Sequence, residues 1–203
     1  MAKNNDFKAV GTVISEPQLD YECNGESFFS FFMKAKRTSG VFDIFQCRIS
    51  GFLTQYVDVG KELEIYGEIR TYNRSLDDNR KLVVYVWVKE IYTPAQESVN
   101  ENTVLLDGFI CKPPVLRRTP LGKLICDVIL AVNRPHGLSS YIPCIFWGSS
   151  AEKISELKVG DEVSFRGRLQ SREYKKETEN GIITRTVWEV SAQTITEVEN
   201  NED

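Results

Sequence analysis

Apolar and polar residues alternate through much of this chain with a period of two, the spacing that puts successive side chains on opposite faces of a strand. The stretch YIPCIFWG, Tyr141 to Gly148, is a concentrated case. Ile142, Cys144 and Phe146 fall on one face, while Tyr141, Pro143, Ile145 and Trp147 fall on the other. The first face suits a core. The second carries a tyrosine and a tryptophan, so it is either buried as well or a working surface. Around it the same alternation predicts a first strand NTVLLDGFI, a turn region PPVLRRTPLGK, a second strand LICDVILAV and, as the third, YIPCIFWG itself. A short helical segment ending in ISELKVGD follows. EVSFRGRLQSREY then makes a fourth strand, KKETENG a polar hairpin and ITRTVWEVSAQTI a fifth strand.

This order occurs twice. VGTVISEPQL, from Val10, lines up with DGFICKPPVL, from Asp107, at an offset of 97 residues. The same offset places Gly25 on Gly122, Arg37 on Arg134, Cys47 on Cys144 and Gly51 on Gly148. After three extra residues in the second half, an offset of 100 sets VGKELEIYGEI on VGDEVSFRGRL. The chain therefore reads as two copies of one five-stranded unit. Five strands with recurrent mid-strand glycines, and one short helix between the third and fourth, is the order of an OB-fold barrel. A β-sandwich would want more strands and no such helix. The expected class is all-β, two tandem OB-folds: residues 1–95 a degenerate first barrel, 96–101 a linker, 102–197 the second barrel and 198–203 a short acidic tail.

Composition adds bounds. Of 203 residues 41% are hydrophobic and 27% charged, an ordinary balance for a folded soluble chain. No apolar run approaches the roughly 20 residues of a membrane span, and the start MAKNNDFKAV lacks a signal pattern. Five cysteines, without a CxxC spacing or a Cys/His cluster, point to a reducing cytoplasm rather than disulfides or zinc. The net charge of −4 speaks against nucleic acid, but its distribution does not. Between Asn102 and Ile195 there are 13 Lys and Arg against 10 Asp and Glu, a balance of +3; from Phe7 to Tyr92 the balance is 11 against 12, or −1. No phosphate-cradling loop, metal-ligand spacing or Ser/His/Asp arrangement is present, and the lone His136 has no acid–base companion near it in sequence, so neither enzyme chemistry nor a cofactor is expected.

The second half resembles the bacterial single-stranded DNA-binding protein family. The resemblance is carried by NTVLLDGFI with Pro114, RRTPLGK, LAVNRP, YIPCIFWG followed by Ala151 and Glu152, VGDEVSFRGRLQSREY, and Gly181 with TVWEV. The first half shares only the skeleton of Gly11, Pro17, Gly25, Gly51, Gly60 and Gly67. The resemblance implies sequence-independent binding of single-stranded DNA in replication, recombination or repair, with RNA as the alternative polymer. It also implies an assembly presenting four OB domains, which two barrels per chain would reach as a homodimer. The family's acidic tip ending in an apolar peptide recruits replication and repair proteins; TEVENNED is acidic but has no terminal Pro-Phe, so that recruitment is not carried over.

Stacking on aromatic rings suits such a site because every base has a π-face. The resemblance places Trp147, Tyr141 and Tyr174 at stacking positions. Arg172, Arg134, Arg118, Arg117 and Lys123 are the candidates for phosphate contact or guanidinium stacking. Trp188 shares a face with Val190 and Ala192 and is expected in the core. In the first half the three aromatic positions become Ser50, Ile44 and Arg74, while the inward Phe45, Cys47 and Ile49 remain. That half keeps its core and loses its platform, although Tyr72, Phe42, Arg48 and Arg74 could build a different surface. The alternative function, suggested by the first half, is a protein-interaction module of a primosome-like assembly with weak nucleic-acid binding.

Overall fold

The alternating segments form strands in a computed structural model that describes residues 4–76, 79–95, 101–178 and 181–199. The first barrel comprises β1 (Asn5–Val13), β2 (Gln18–Cys23), β3 (Glu26–Lys36), β4 (Phe42–Ser50), β5 (Glu62–Leu76) and β6 (Asn79–Tyr92). The second comprises β7 (Asn102–Ile110), β8 (Val115–Arg118), β9 (Leu124–Arg134), β10 (Leu138–Trp147), α1 (Ser149–Ser155), β11 (Glu162–Thr178) and β12 (Gly181–Glu199). Both are OB-folds. In each, the first strand pairs with the third and the fifth of its own six, and the fourth runs parallel to the last, at Cys47↔Val86 and Cys144↔Val190.

Inward positions fill each barrel as the period-two pattern demands. Phe45, Cys47 and Ile49 are fully buried in the first, and Ile142, Cys144 and Phe146 in the second. Phe7 meets Phe45 edge-on at 5.6 Å, and Phe146 meets Phe165 at 5.0 Å. Helix α1 caps the second barrel with buried Ala151 and Ile154. In the first barrel its place is taken by a 3-10 turn, Gly51–Tyr56, which buries nothing. At Gly167, where β11 bulges against β12, an added Cβ would come within 2.5 Å of the Ser191 carbonyl oxygen, and Gly67 is tighter still against Trp87. Those two glycines let the long strands β5 and β11 bend around their barrels.

The short strands β2 and β8 differ from the expected turn. Val115–Arg118 folds back on Leu124–Asp127 around a reversal in which Gly122 donates to the Thr119 carbonyl. Every residue of β2 and β8 is exposed, so no apolar alternation marks them in sequence.

The two barrels share one sheet through antiparallel pairing of β1 with β7. Phe7 lies opposite Val104, its own counterpart at the offset of 97, so an approximate two-fold axis passes through this pair. The flanking contacts obey the same axis. The Ile44 amide donates to Ser171 Oγ at 2.9 Å, and the Tyr141 amide donates to Thr71 Oγ1 at 2.8 Å. Ile44 corresponds to Tyr141 and Ser171 to Thr71, so the barrels meet at two equivalent junctions: β4 against β11, and β10 against β5.

Candidate nucleic-acid interface

Strand β10 presents Tyr141 and Trp147 on its outward face, 49% and 38% exposed. They stand six residues apart, roughly 20 Å along the strand. Ile145, between them on the same face, is buried, so the outward face of YIPCIFWG is part core and part surface. The Trp147 indole is held by its Nε1–H, which donates to Ser191 Oγ of β12 at 3.0 Å. Pairing of β10 with β9 and β9 with β8 sets Trp147, Ile125 and Arg117 in one row.

Trp147 forms part of the wall of a groove of about 850 Å³ at the β4–β11 junction. Its other walls include Arg168, Arg172 and Trp188 from the second barrel and Arg37, Phe42 and Ile44 from the first. A second cleft of about 280 Å³ reaches Lys81 and Pro143 and shares Arg172 and Trp188 with the groove. Arg172 is ion-paired to Glu189 at 3.1 Å. Arg37 donates through Nε to Asp43 at 2.7 Å, and a second bond joins its Nη2 to the same carboxylate. Burial, with Arg37 close by, holds the Arg168 guanidinium below its usual pKa. Among the described residues of this wall, that leaves Arg168 as the arginine without a carboxylate partner and Glu173 as the acid without an arginine.

The other candidates are dispersed. Arg117 pairs with Asp127, whose hydrogen bond raises the guanidinium pKa. Arg118 donates to the Gly122 carbonyl at 3.1 Å, and Lys123 is exposed in the same hairpin. Arg134 sits at the end of β9, half-buried, on the side of the β10–β5 junction, where burial first and then Arg70 lower its pKa. Tyr174 is opposite Arg185 in the β11–β12 ladder; its side chain lies outside the described residues. Among the described residues no group of His, Cys, Asp and Glu could hold a metal, and no helix is long and apolar enough to cross a membrane.

Trp188 packs against the core but, only partly buried, does not lie within it as expected. Val190 and Ala192 are buried as their parity requires, but Trp188 lies where the β11–β12 arms have passed the last rungs of β7. Its ring is half-buried at the junction, and its Nε1–H donates to the Ile44 carbonyl at 2.6 Å. Phe42, Arg37 and Arg168 join the groove only because the barrels are juxtaposed. The repeat itself was the signal that could have located them, since it implies a two-fold contact.

The first barrel fills its outward face with other aromatics. The Arg48 guanidinium lies 5.0 Å from the Tyr21 ring, 5.0 Å from Tyr72 and 4.4 Å from Tyr85, and it pairs with Asp20. Arg70 lies 4.5 Å over Trp87, and Phe28 bridges Trp87 to Tyr21 at 5.3 and 4.8 Å. Trp147 with Ser191 becomes Ser50 with Trp87 in this barrel: the indole has moved from the fourth strand to the sixth.

The profile of the single-strand binding protein family matches residues 101–198. Single-stranded DNA-binding protein B of Bacillus subtilis is 37% identical over 101 residues, 46% of this chain and 87% of that protein. Single-stranded DNA-binding protein 2 of Listeria monocytogenes is 32% identical over 107 residues, 49% of this chain and 67% of that protein. The match to single-stranded DNA-binding protein 3 of Listeria innocua, 37% identical over 81 residues and 36% of this chain, spans 51% of that protein; the chain spans about half the length of several such relatives. Both barrels together superpose on the single-stranded DNA binding protein from Thermus aquaticus with a TM-score of 0.73, covering 98% of this chain and 93% of that one. At 22% identity that likeness is one of fold.

Proposed function

The chain belongs to the single-strand binding protein family, and on that premise we propose that it binds single-stranded DNA without sequence preference and without enzymatic activity. The observation that carries this reading is Trp147: a half-exposed indole, fixed by Ser191, on the wall of a groove that also holds Arg168, Arg172 and a second tryptophan. Bases stack on the exposed part of the indole, whose in-plane N–H bond to Ser191 covers neither ring face, and the guanidinium groups meet the phosphates. Tyr141, at the far end of the same strand, offers a second ring. Tyr174, Arg134, Arg117, Arg118 and Lys123 extend the path along the strand ends and the β8 hairpin.

In the cell this activity protects exposed strands during replication, recombination or repair in the cytoplasm. Two chains assemble as a homodimer presenting four barrels; light scattering at micromolar concentration should give twice the chain mass, and a stable monomer would exclude it.

The direct test is anisotropy of a labelled oligo-dT of about 35 nucleotides, against duplex DNA and RNA of the same length, at several salt concentrations. Expected are a single-strand preference and an affinity that falls as salt rises. Trp147→Ala should cost about 1–3 kcal/mol of binding. Native protein that ignores oligo-dT at low salt would end this reading.

A further inference from the structure

The two junctions between the barrels are related by the near-two-fold axis, yet one of them has lost a charge. At the β4–β11 junction Asp43, almost wholly buried, accepts from Arg37 and from the Ser171 amide, the latter at 3.0 Å. At the β10–β5 junction the counterpart of Arg37 is Arg134 and the counterpart of Asp43 is Ser140. Ser140 is fully buried, and its Oγ has no hydrogen-bond partner. Arg134 Nε is buried and unpartnered too, and among the described residues no carboxylate pairs with this guanidinium. An arginine whose sister holds an aspartate stands here without an anion.

Its surroundings do not supply one. Arg70, across the junction, is near enough to lower the Arg134 pKa after burial has done so. Glu68 is also near, but it is already shared by Arg70 at 2.9 Å and by Lys89. Beyond Arg70 lies the aromatic face of the first barrel, with Trp87 under the Arg70 guanidinium and Tyr72 and Tyr85 around Arg48. Counting the charged groups of this patch gives Arg134, Arg70, Lys89 and Arg48 against Glu68 and Asp20, a surplus of two positive charges. Tyr141 adjoins it through the bond from its amide to Thr71.

We propose that the β10–β5 junction is a phosphate site for single-stranded DNA, with Arg134 as its anion ligand, and that the bases next to that phosphate stack on the first barrel's own platform of Trp87 and Tyr72. A backbone phosphate supplies the charge that Asp43 supplies at the other junction. The aromatic rings and guanidinium groups beside it make a sequence-tolerant surface of the usual kind. Each barrel then contacts the strand with a different residue set, and the second barrel lends its arginine to the first barrel's site. This inference rests on the single-strand-binding reading above.

Ser140→Asp tests it by giving Arg134 the carboxylate that Arg37 already has. With the oligo-dT of about 35 nucleotides, one lost phosphate contact should make the slope of log affinity against log salt shallower by about 0.7, which is about 5-fold weaker binding at 0.1 M salt. Arg134→Gln should lose the same slope without adding a charge, and it decides the matter if the buried aspartate prevents folding. Trp87→Ala should weaken binding by about 5- to 150-fold. The outcomes separate cleanly. If Arg134→Gln and Trp87→Ala bind with native affinity and slope while Trp147→Ala is weakened, the second site is wrong and the single-strand-binding reading stands. If native protein does not bind at all, both fall together.

Discussion

Asn5 stands where β1 parts from β5, and replacing its side chain should unsettle the first barrel. The β1–β5 register, last met at Phe7↔Gly67, would next set Asn5 opposite Ile69. There the backbone of Asn5 is already turned to Leu106 of β7. The side chain takes over the missing rung: Nδ2 donates to the Ile69 carbonyl at 2.7 Å, and Oδ1 accepts the Ile69 N–H at 2.9 Å. A carboxamide can do this because it offers a donor and an acceptor side by side, as a peptide does. Asn102 repeats the arrangement on Leu169 at 2.7 and 3.1 Å. Asn5→Ala leaves one N–H and one carbonyl without partners in a buried position, at about 1–3 kcal/mol each. A loss of about 2–6 kcal/mol is a large part of the 5–15 kcal/mol that typically holds a domain together. Urea titration should show it as a lower midpoint, and hydrogen exchange should show selective loss of protection at the Ile69 amide. Asn5→Asp, which keeps the acceptor but loses the donor and buries a charge, should be no better at pH 7. An alanine variant within about 0.5 kcal/mol of native, with the Ile69 amide still protected, would refute the reasoning.

Gly167→Ala drives a methyl group into the Ser191 carbonyl and should cost more than about 2 kcal/mol or abolish soluble expression, as should Gly67→Ala; thermal melting decides. Burial pushes the Cys126 thiol up to about 11 and raises Cys47 and Cys144 further, so a thiol reagent at pH 8 should label exposed Cys23 first and those three only on unfolding. Hydrogen bonds from Tyr66 and Lys8 hold the Glu64 carboxyl below its usual range. Because the native pKa is the lower one, that stabilisation is whole above the unfolded value of about 4.3 and fades as pH falls through the native value. Glu64→Gln should therefore flatten the acid limb of a stability–pH curve, and an unchanged limb would contradict it.

The barrels were legible in sequence because their strands are half-buried: where one face is core, the period of two is written in residue type. Phe45, Cys47 and Ile49, and again Ile142, Cys144 and Phe146, needed nothing more than parity. The exposed β2 and β8 left no such trace, since neither of their faces meets a core. The candidate site divides in the same way. Trp147 and Tyr141 follow from the outward parity of β10, whereas the groove around Trp147 takes part of its wall from a barrel about a hundred residues away in sequence. Trp188 packs on the edge of the core rather than inside it for a related reason. Parity says which side of a strand a residue occupies, not how far along the strand the barrel extends. In the first barrel Tyr72 and Arg48 are legible as parts of a different surface, whereas Trp87 is not, because its indole stands on the sixth strand and the sister's on the fourth.

The near-two-fold axis through Phe7 and Val104 has a consequence for polarity. Two identical chains joined this way would present two identical junctions, and a strand entering from either side would meet the same residues in the same order. A nucleic-acid strand, however, has a 5′ end and a 3′ end. With both barrels on one chain, the junctions are free to diverge, and they have: Arg37 with Asp43 on one side, Arg134 with Ser140 on the other. The two directions of travel across this surface are no longer equivalent.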